Sequence, residues 1–305
     1  MRILVTGAGV IGCHTARQLS EQGHDVTLVD VAPNMTAVKS IVDIEKVPLV
    51  NCDVTDNSAI ENLLATRRVE RVIHTAALMT AACRADPRRG LQVNVFGTTN
   101  LLDCARRGLI DRVVLSSSNV VETPSTSVYA LSKSLSEQIS GMYRRSYAVA
   151  VVSLRYAAVF GAWNGPPTSI PARLMRLMVD AALQRRPAVI EDPMLIWRGV
   201  DSFVDARDCA AANVAAALAE NPVTGVYDVA PALGLAFDEI VAAIQSRFPD
   251  FKVDYRVTTE TGFAGYPVRD KVSVDSATAK REINFSPRFS IVDTVAETAR
   301  FAPQQ

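Results

Sequence analysis

The eight residues Val5-Thr6-Gly7-Ala8-Gly9-Val10-Ile11-Gly12 constrain this chain more than any others. They place a G-x-G-x-x-G pattern between a short apolar run, Arg2–Thr6, and a helical pattern, Val10–Gln22, that Gly23 is positioned to stop. A strand that turns this tightly into a helix leaves the helix N-terminus, with its free backbone N–H groups, facing the turn. Gly7 permits the turn, Gly9 lets a pyrophosphate approach the backbone, and Gly12 lets helix and strand pack closely. The pattern predicts a dinucleotide site built on Gly7, Gly9, Val10, Ile11 and Gly12. Asp30 ends the second strand-like run, 18 positions beyond Gly12. A carboxylate there accepts hydrogen bonds from ribose hydroxyls and repels a 2′-phosphate, and no Lys or Arg stands between Asp30 and Lys39 to offset it. The expected cofactor is NAD rather than NADP.

The first half continues to alternate. Strand-like runs at Asp25–Val29, Leu49–Cys52, Arg71–Thr75, Arg112–Ser116 and Ala148–Leu154 are separated by helical patterns, among them Asp56–Thr66, Pro87–Arg107 and Ser127–Tyr147. Such alternation implies right-handed crossovers and a parallel sheet covered on both faces. After Leu154 the rhythm loosens. Gly161–Pro171 reads as a loop, followed by helical segments near Ala172–Gln184, Ala206–Ala219, Phe237–Phe248, Ser276–Glu282 and Ile291–Arg300. Short strand-like runs (Ala188–Glu191, Gly225–Val229, Lys252–Val257) lie between them. The expected architecture is α/β: a Rossmann-like doubly wound parallel sheet over 1–160, joined by core elements returning from the C-terminal half. A smaller, mainly substrate-binding lobe is expected over 161–305.

Composition removes several function classes. The 32 basic and 32 acidic residues cancel, so no global basic field for nucleic acid exists. Cys13, Cys52, Cys83, Cys104 and Cys209 include no C-x-x-C pair, and none of the three histidines is paired at ligand spacing. Neither a disulfide scaffold nor a metal site is expected, and reduced thiols suit a cytoplasmic protein. No uninterrupted apolar stretch is long enough to span a bilayer, and the N-terminus enters a strand with no leader pattern, so no membrane partner is expected.

Tyr129-Ala130-Leu131-Ser132-Lys133 supplies the chemistry. A spacing of four puts Tyr129 and Lys133 on one helix face. A phenol, with a pKa of about 10, is a poor base at neutral pH, and a nearby ammonium stabilises its phenolate. Upstream, Ser116-Ser117-Ser118 follows the fifth strand, at the sheet end where ligands of open α/β folds bind.

Glycine turn, strand-end serine and helical Y-x-x-x-K, in that order, make the chain resemble the extended short-chain dehydrogenase/reductase family, in its NAD-dependent epimerase/dehydratase group. Val72–Ala77 resembles the family's fourth strand, Asn94-Val95-Phe96-Gly97-Thr98 its N-V-x-G-T helix segment, and Leu154–Gly161 its L-R-Y-x-x-V-Y-G segment. Phe203–Ala210 resembles F-V-H-V-D-D-V-A, and Asp275–Pro287 a segment ending L-G-W-x-P. The resemblance spans nearly the whole chain and implies roles. Tyr129 is the general acid/base. Lys133 lowers its pKa and binds the nicotinamide ribose. Ser117 holds the substrate oxygen, with Ser118 the alternative one residue on and a substrate contact. Cofactor contacts are implied for Asp53 and Val54 at the adenine, and for Thr75, Ala76, Ala77, Asn94, Ser116, Tyr129, Lys133, Tyr156 and Val159. Two departures stand out: the glycine turn is one residue tighter than the usual T-G-x-x-G-x-x-G, and Val120-Val121-Glu122 replaces V-Y-G.

The substrate is less legible. Many relatives bind nucleotide sugars with an Asn and an Arg at positions that here carry Ala158 and Asp201. Arg173, Arg176, Arg198 and Arg269 are alternative phosphate partners, since forked guanidinium donors suit phosphate oxygens. Trp163, Trp197 and Tyr266 either stack on a ligand or pack in the core. The leading expectation is a sugar or nucleotide-sugar epimerase. The alternative is a dehydrogenase or reductase of a non-nucleotide hydroxy or keto compound, and a third class is a non-catalytic dinucleotide sensor. The resemblance also implies a homodimer formed by the helices Pro87–Arg107 and Ser127–Tyr147.

Overall fold

The structure, a computed structural model, describes residues 1–302 apart from 233, 273 and 275. Its strands, in chain order, are β1 (Arg2–Thr6), β2 (Asp25–Asp30), β3 (Leu49–Asn51), β4 (Arg71–His74), β5 (Arg112–Ser118), β6 (Val151–Tyr156), β7 (Ala158–Phe160), β8 (Ala188–Ile190), β9 (Phe203–Asp205), β10 (Val226–Val229) and β11 (Val253–Tyr255). Seven of them form one sheet in the order β10-β6-β5-β4-β1-β2-β3, and every neighbouring pair is parallel. Strand order reverses between β1 and β4, which opens a crevice beyond their C-terminal ends. The fold is the Rossmann-like doubly wound α/β arrangement.

The strands are continuous apolar runs because both faces are covered. Ile3 and Val5 join Ile73, Val114, Val152 and Leu154 in the core under helices Val10–Glu21 and Ala206–Leu218. Leu4 turns the other way and joins Val72, Val113 and Leu115 under helices Asn57–Arg67 and Gly97–Arg106.

Three differences from the sequence reading bear on the site. Strand β5 runs on to Ser118, so the three serines are strand residues rather than the turn after it. Strand β6 begins at Val151, because Ala148, at φ 54°, ends the preceding helix Val128–Tyr147 in the left-handed conformation. The span Pro87–Arg107 is not one α-helix: α-helical Pro87–Leu91 and Gly97–Arg106 flank a π turn at Gln92–Phe96. The Asn94 carbonyl in that widened turn accepts from Thr98 Oγ1 at 2.7 Å and from Ser136 Oγ at 2.9 Å. Side-chain hydroxyls thus satisfy it, which periodicity alone does not reveal.

The C-terminal half completes the sheet. Strand β10 pairs with β6 from Val226 opposite Ser153 to Val229 opposite Tyr156. The last carbonyls of helix Ala206–Leu218 are satisfied by core arginines. Arg112 Nη1 donates to Ala216 O at 3.2 Å and Ala217 O at 3.3 Å, its Nη2 donates to Glu220 O at 3.2 Å, and Arg71 also reaches Ala217 O. Cations there answer both the orphan carbonyls and the negative end of the helix dipole.

The lobe is built differently. Strands β7 and β9 pair, as do β8 and β11, around an aromatic cluster. Phe160 stacks on Phe203 at 5.0 Å, and Trp197 meets Phe203, Phe237 and Phe263 at 5.2 Å each. Trp163 and Trp197 are core side chains, with indole N–H groups bonded to Pro166 O and Leu235 O. The segment Asp275–Pro287 begins at Asp275, which lies outside the described residues. Among the described residues no helix is long and apolar enough to cross a membrane, and no group of three or more His, Cys, Asp or Glu could hold a metal ion.

Candidate active site

The crevice between β1 and β4 carries the glycine turn. Gly7 has φ 89°, and a Cβ on it would lie 2.6 Å from Ala76 N. A Cβ on Gly12 would overlap the Gly7 carbonyl, whereas one on Gly9 would meet nothing within 4 Å. The backbone is therefore tightly packed at Gly7 and Gly12 and open at Gly9, where a ligand can approach. Gly9 is the N-cap of helix Val10–Glu21 and offers no side chain to its first N–H groups. Asp30 Oδ2 accepts from Ala8 N at 2.7 Å and its Oδ1 from Ala32 N at 2.9 Å. These bonds pin the carboxylate beside the turn and leave lone pairs for ribose hydroxyls. Thr75 Oγ1 donates to Thr6 O at 2.8 Å and ties the end of β4, with Ala76 and Ala77, to the same turn. Glycine turn, uncapped helix end and pinned carboxylate together fit a dinucleotide.

Tyr129 and Lys133 enter from helix Val128–Tyr147, which Ser127 caps by accepting from Ala130 N at 3.1 Å. Its buried face is polar: Ser132, Ser136 and Ser140 lie along it with Lys133. Each serine bonds a carbonyl one turn back, so burial costs little and the small side chains let the helix sit close to the sheet. Lys133 Nζ donates to Ser116 O at 2.7 Å and lies 5.8 Å from the Tyr129 ring centre. Burial lowers the Lys133 pKa to about 8, against the raising influence of Cys83 and Glu137. Burial drives the Tyr129 phenol well above its ordinary range, with Cys83 and Tyr266 adding to it and the Ser118 hydroxyl opposing.

Strand alternation decides between the serines. Ser116 and Ser118 share one face of β5, and Ser118 is the serine that acts on Tyr129. Ser117 points the other way, where its Oγ donates to Glu137 Oε1 at 2.6 Å. Ser117, expected at the substrate oxygen, is thus engaged by Glu137, and Ser118, the alternative, is the serine beside Tyr129. A strand ending at Ser116, as the local sequence suggests, hides this alternation.

A model for the NAD-dependent epimerase/dehydratase family matches residues 3–230. The chain belongs to that family. Its cofactor is NAD, and it is an NAD-dependent enzyme of the epimerase or oxidoreductase type. It is similar to the UDP-glucose 4-epimerase of Bacillus subtilis, at 27% identity over 335 residues, covering 99% of this chain and 96% of that protein. A Neisseria meningitidis serogroup B UDP-glucose 4-epimerase is 29% identical over 257 residues, covering 74% of this chain and 76% of the relative. Among solved structures, a Thermus thermophilus UDP-glucose 4-epimerase complex with NAD superposes with TM-score 0.79 at 24% identity, covering 99% of this chain and 100% of the other. An L-threonine dehydrogenase from Cupriavidus necator gives TM-score 0.81 at 21% identity, covering 98% and 99%.

Several residues that the family resemblance assigns to cofactor are already engaged within this member. Asn94 donates both amide protons, to Leu78 O and Ser132 Oγ at 2.9 Å each, and so braces the loop after β4 against helix Val128–Tyr147. The Tyr156 hydroxyl bonds Ser116 Oγ at 3.0 Å and Asn213 Oδ1 at 2.7 Å. Asp53 accepts from Thr55 and from Arg89 Nη2, the latter at 2.6 Å. Gly97 lets the π turn approach Val54, whose Cγ2 would be 2.8 Å from a Cβ there. Val159 packs against the main core, and its carbonyl accepts from Ser169 Oγ.

The arginines separate. Arg173 pairs with Asp192 at 3.2 Å, Arg176 with Asp180, and the exposed Arg198 with Glu260. Arg269 instead lies 3.6 Å from the buried Asp201 and 4.0 Å from Glu122, four residues beyond Ser118. Sequence reasoning missed Glu137 and Arg155 beneath Tyr129 and Lys133. A usable signal for Glu137 existed: it follows Lys133 by four on the same helix face.

Proposed function

We propose that the enzyme exchanges a hydride at a secondary alcohol or ketone carbon, and that its substrate is a sugar or nucleotide sugar that leaves epimerised. The observation that carries the chemistry is the convergence of Ser118, Tyr129 and the Ser116-bound Lys133 at the end of β5. Bound NAD supplies the hydride acceptor and donor. Ser118 Oγ donates to the substrate oxygen. Tyr129 Oη takes and returns that oxygen's proton. Lys133 holds a positive charge near Tyr129, offsetting the burial that otherwise opposes its phenolate, and contacts the cofactor ribose. The named activities of the curated relatives support the epimerase outcome.

A second reading, a dehydrogenase of a non-nucleotide hydroxy or keto compound, is favoured by Asp201. A buried carboxylate there opposes a diphosphate and partly neutralises Arg269. We place the protein in the cytoplasm as a homodimer. The five unpaired buried cysteines support the first, and exposed Phe96, Leu131 and Met142 on the two long helical segments support the second. Calorimetric titration of UDP, with ADP, GDP and dTDP as comparisons, into the NAD-loaded protein separates the readings. Selective micromolar binding of one nucleotide is the result expected of a nucleotide-sugar epimerase. Binding of none, with net NADH formation from a free hydroxy compound, would establish the dehydrogenase.

A further inference from the structure

We infer that Glu137 is a positioning residue for the catalytic pair: clamped by Ser117 and Arg155, its carboxylate keeps Lys133 charged and fixes the catalytic helix to β5. The inference rests on the role given to Lys133 above. Tyr129, Lys133 and Glu137 follow one another at spacings of four on helix Val128–Tyr147, so they share a face. Glu137 Oε1 accepts from Ser117 Oγ at 2.6 Å and Arg155 Nε at 3.0 Å, while Oε2 accepts from Arg155 Nη2 at 2.8 Å. The Glu137 side chain is only 10% exposed, and this fork-to-fork pairing gives the carboxylate one orientation.

The position of the clamp in β5 is the decisive point. Ser117 lies between Ser116, whose carbonyl receives Lys133, and Ser118, whose hydroxyl acts on Tyr129. Holding Ser117 to the helix therefore sets both contacts at once. Lys133 and Glu137 also line one small cavity with His74, Ser116, Ser117 and Ser136. The groups facing Lys133 are Glu137 on its own helix, Cys83 from helix Thr80–Ala85, His74 from β4 and Tyr129. The His74 ring is held neutral by burial, which lowers its pKa to about 3. Glu137 is thus the one carboxylate among these groups. Arg155, with Asp228 and Glu122 near it, stands behind Glu137.

The test reads NAD affinity of the full-length protein against pH, which requires no substrate. Wild type is expected to lose affinity through an inflection near 8, where Lys133 gives up its proton. Lys133→Met removes the inflection. Glu137→Gln moves it down by about one pH unit, tenfold in the proton dissociation constant. Glu137→Asp restores it toward wild type. Arg155→Gln, which leaves the carboxylate less neutralised, moves it up. A packing role alone would lower melting temperature in both Glu137→Gln and Arg155→Gln without opposite shifts. An unmoved inflection in Glu137→Gln, with Lys133→Met still flat, would overturn this inference alone. An inflection that survives Lys133→Met would overturn the reading of Lys133 and this inference with it.

Discussion

The catalytic helix and the C-terminal lobe solve the burial problem in opposite ways. Along helix Val128–Tyr147 the buried face carries three serines and a lysine, and directed hydrogen bonds hold it: Ser136 to Asn94 O, Lys133 to Ser116 O, and Ser117 of β5 to Glu137. In the lobe the buried cluster is wholly apolar, with Phe160, Trp197, Phe203, Phe237 and Phe263 packed ring to ring among aliphatic side chains such as Leu174, Met178 and Ile240. Directed bonds fix atoms to within a few tenths of an ångström, as proton transfer demands. Aromatic packing supplies stability over a large area while constraining polar geometry less. On the function proposed above, the first region carries the reaction and the second is a stable platform beside it.

Four measurements would break or sharpen that contrast. The largest effect belongs to Tyr129→Phe, which is expected to lower turnover by ~10³-fold or more while NAD affinity stays within about twofold. Unchanged turnover would remove Tyr129 from the chemistry. Trp197→Ala is expected to cost ~3–5 kcal/mol in chemical denaturation, with NAD affinity of the folded fraction unchanged. A comparable loss of NAD affinity would show that the lobe is not a separate source of stability. The two neighbouring serines give the third test. Ser118→Ala should reduce kcat by ~10²-fold. Ser117→Ala, losing one bond to Glu137, should cost about 1 kcal/mol of stability and far less rate. The reverse ranking would undo the assignment from strand alternation.

The smallest effect is a pH dependence confined to the core half. All three histidines lie in the first 74 residues, so the lobe has none. Burial holds the pKa of both His14 and His74 near 3, against an ordinary value of 6.5. Between those values the unfolded chain binds protons that the folded chain refuses. The stability contribution is therefore complete above pH 6.5 and is lost as pH falls toward 3. From pH 7 to 6 the loss is under ~1 kcal/mol per histidine. Melting curves across this range check it, and His74→Gln should reduce the slope. A melting temperature that stays flat would show that the two rings are not buried as neutral groups.

The fold was largely legible because its strands and helices carry strong periodic patterns and its turn demands glycine. Gly7, Asp30, Tyr129 and Lys133 were legible because each follows from a local spacing. Ser118 was not. Choosing between Ser117 and Ser118 required knowing that β5 continues through all three serines. The π turn around Asn94 was hidden because its stabilising hydroxyls, Thr98 and Ser136, include one from another helix. The Glu137–Arg155 clamp joins residues 18 apart through the register of β6, which no local pattern encodes.

The arginine-capped helix Ala206–Leu218 and the strand β10 that follows it have a consequence for dividing the gene. A fragment ending at residue 160 contains every motif of the nucleotide-binding half, yet it lacks the strand that covers the open side of β6. It also lacks the helix that packs over Cys13, Ala16 and Leu19. Such a fragment would present a bare sheet margin and an uncovered apolar layer, a recipe for self-association rather than for an autonomous module. A split reporter or a domain transplant based on this scaffold should therefore keep residues 206–229 with the first 160.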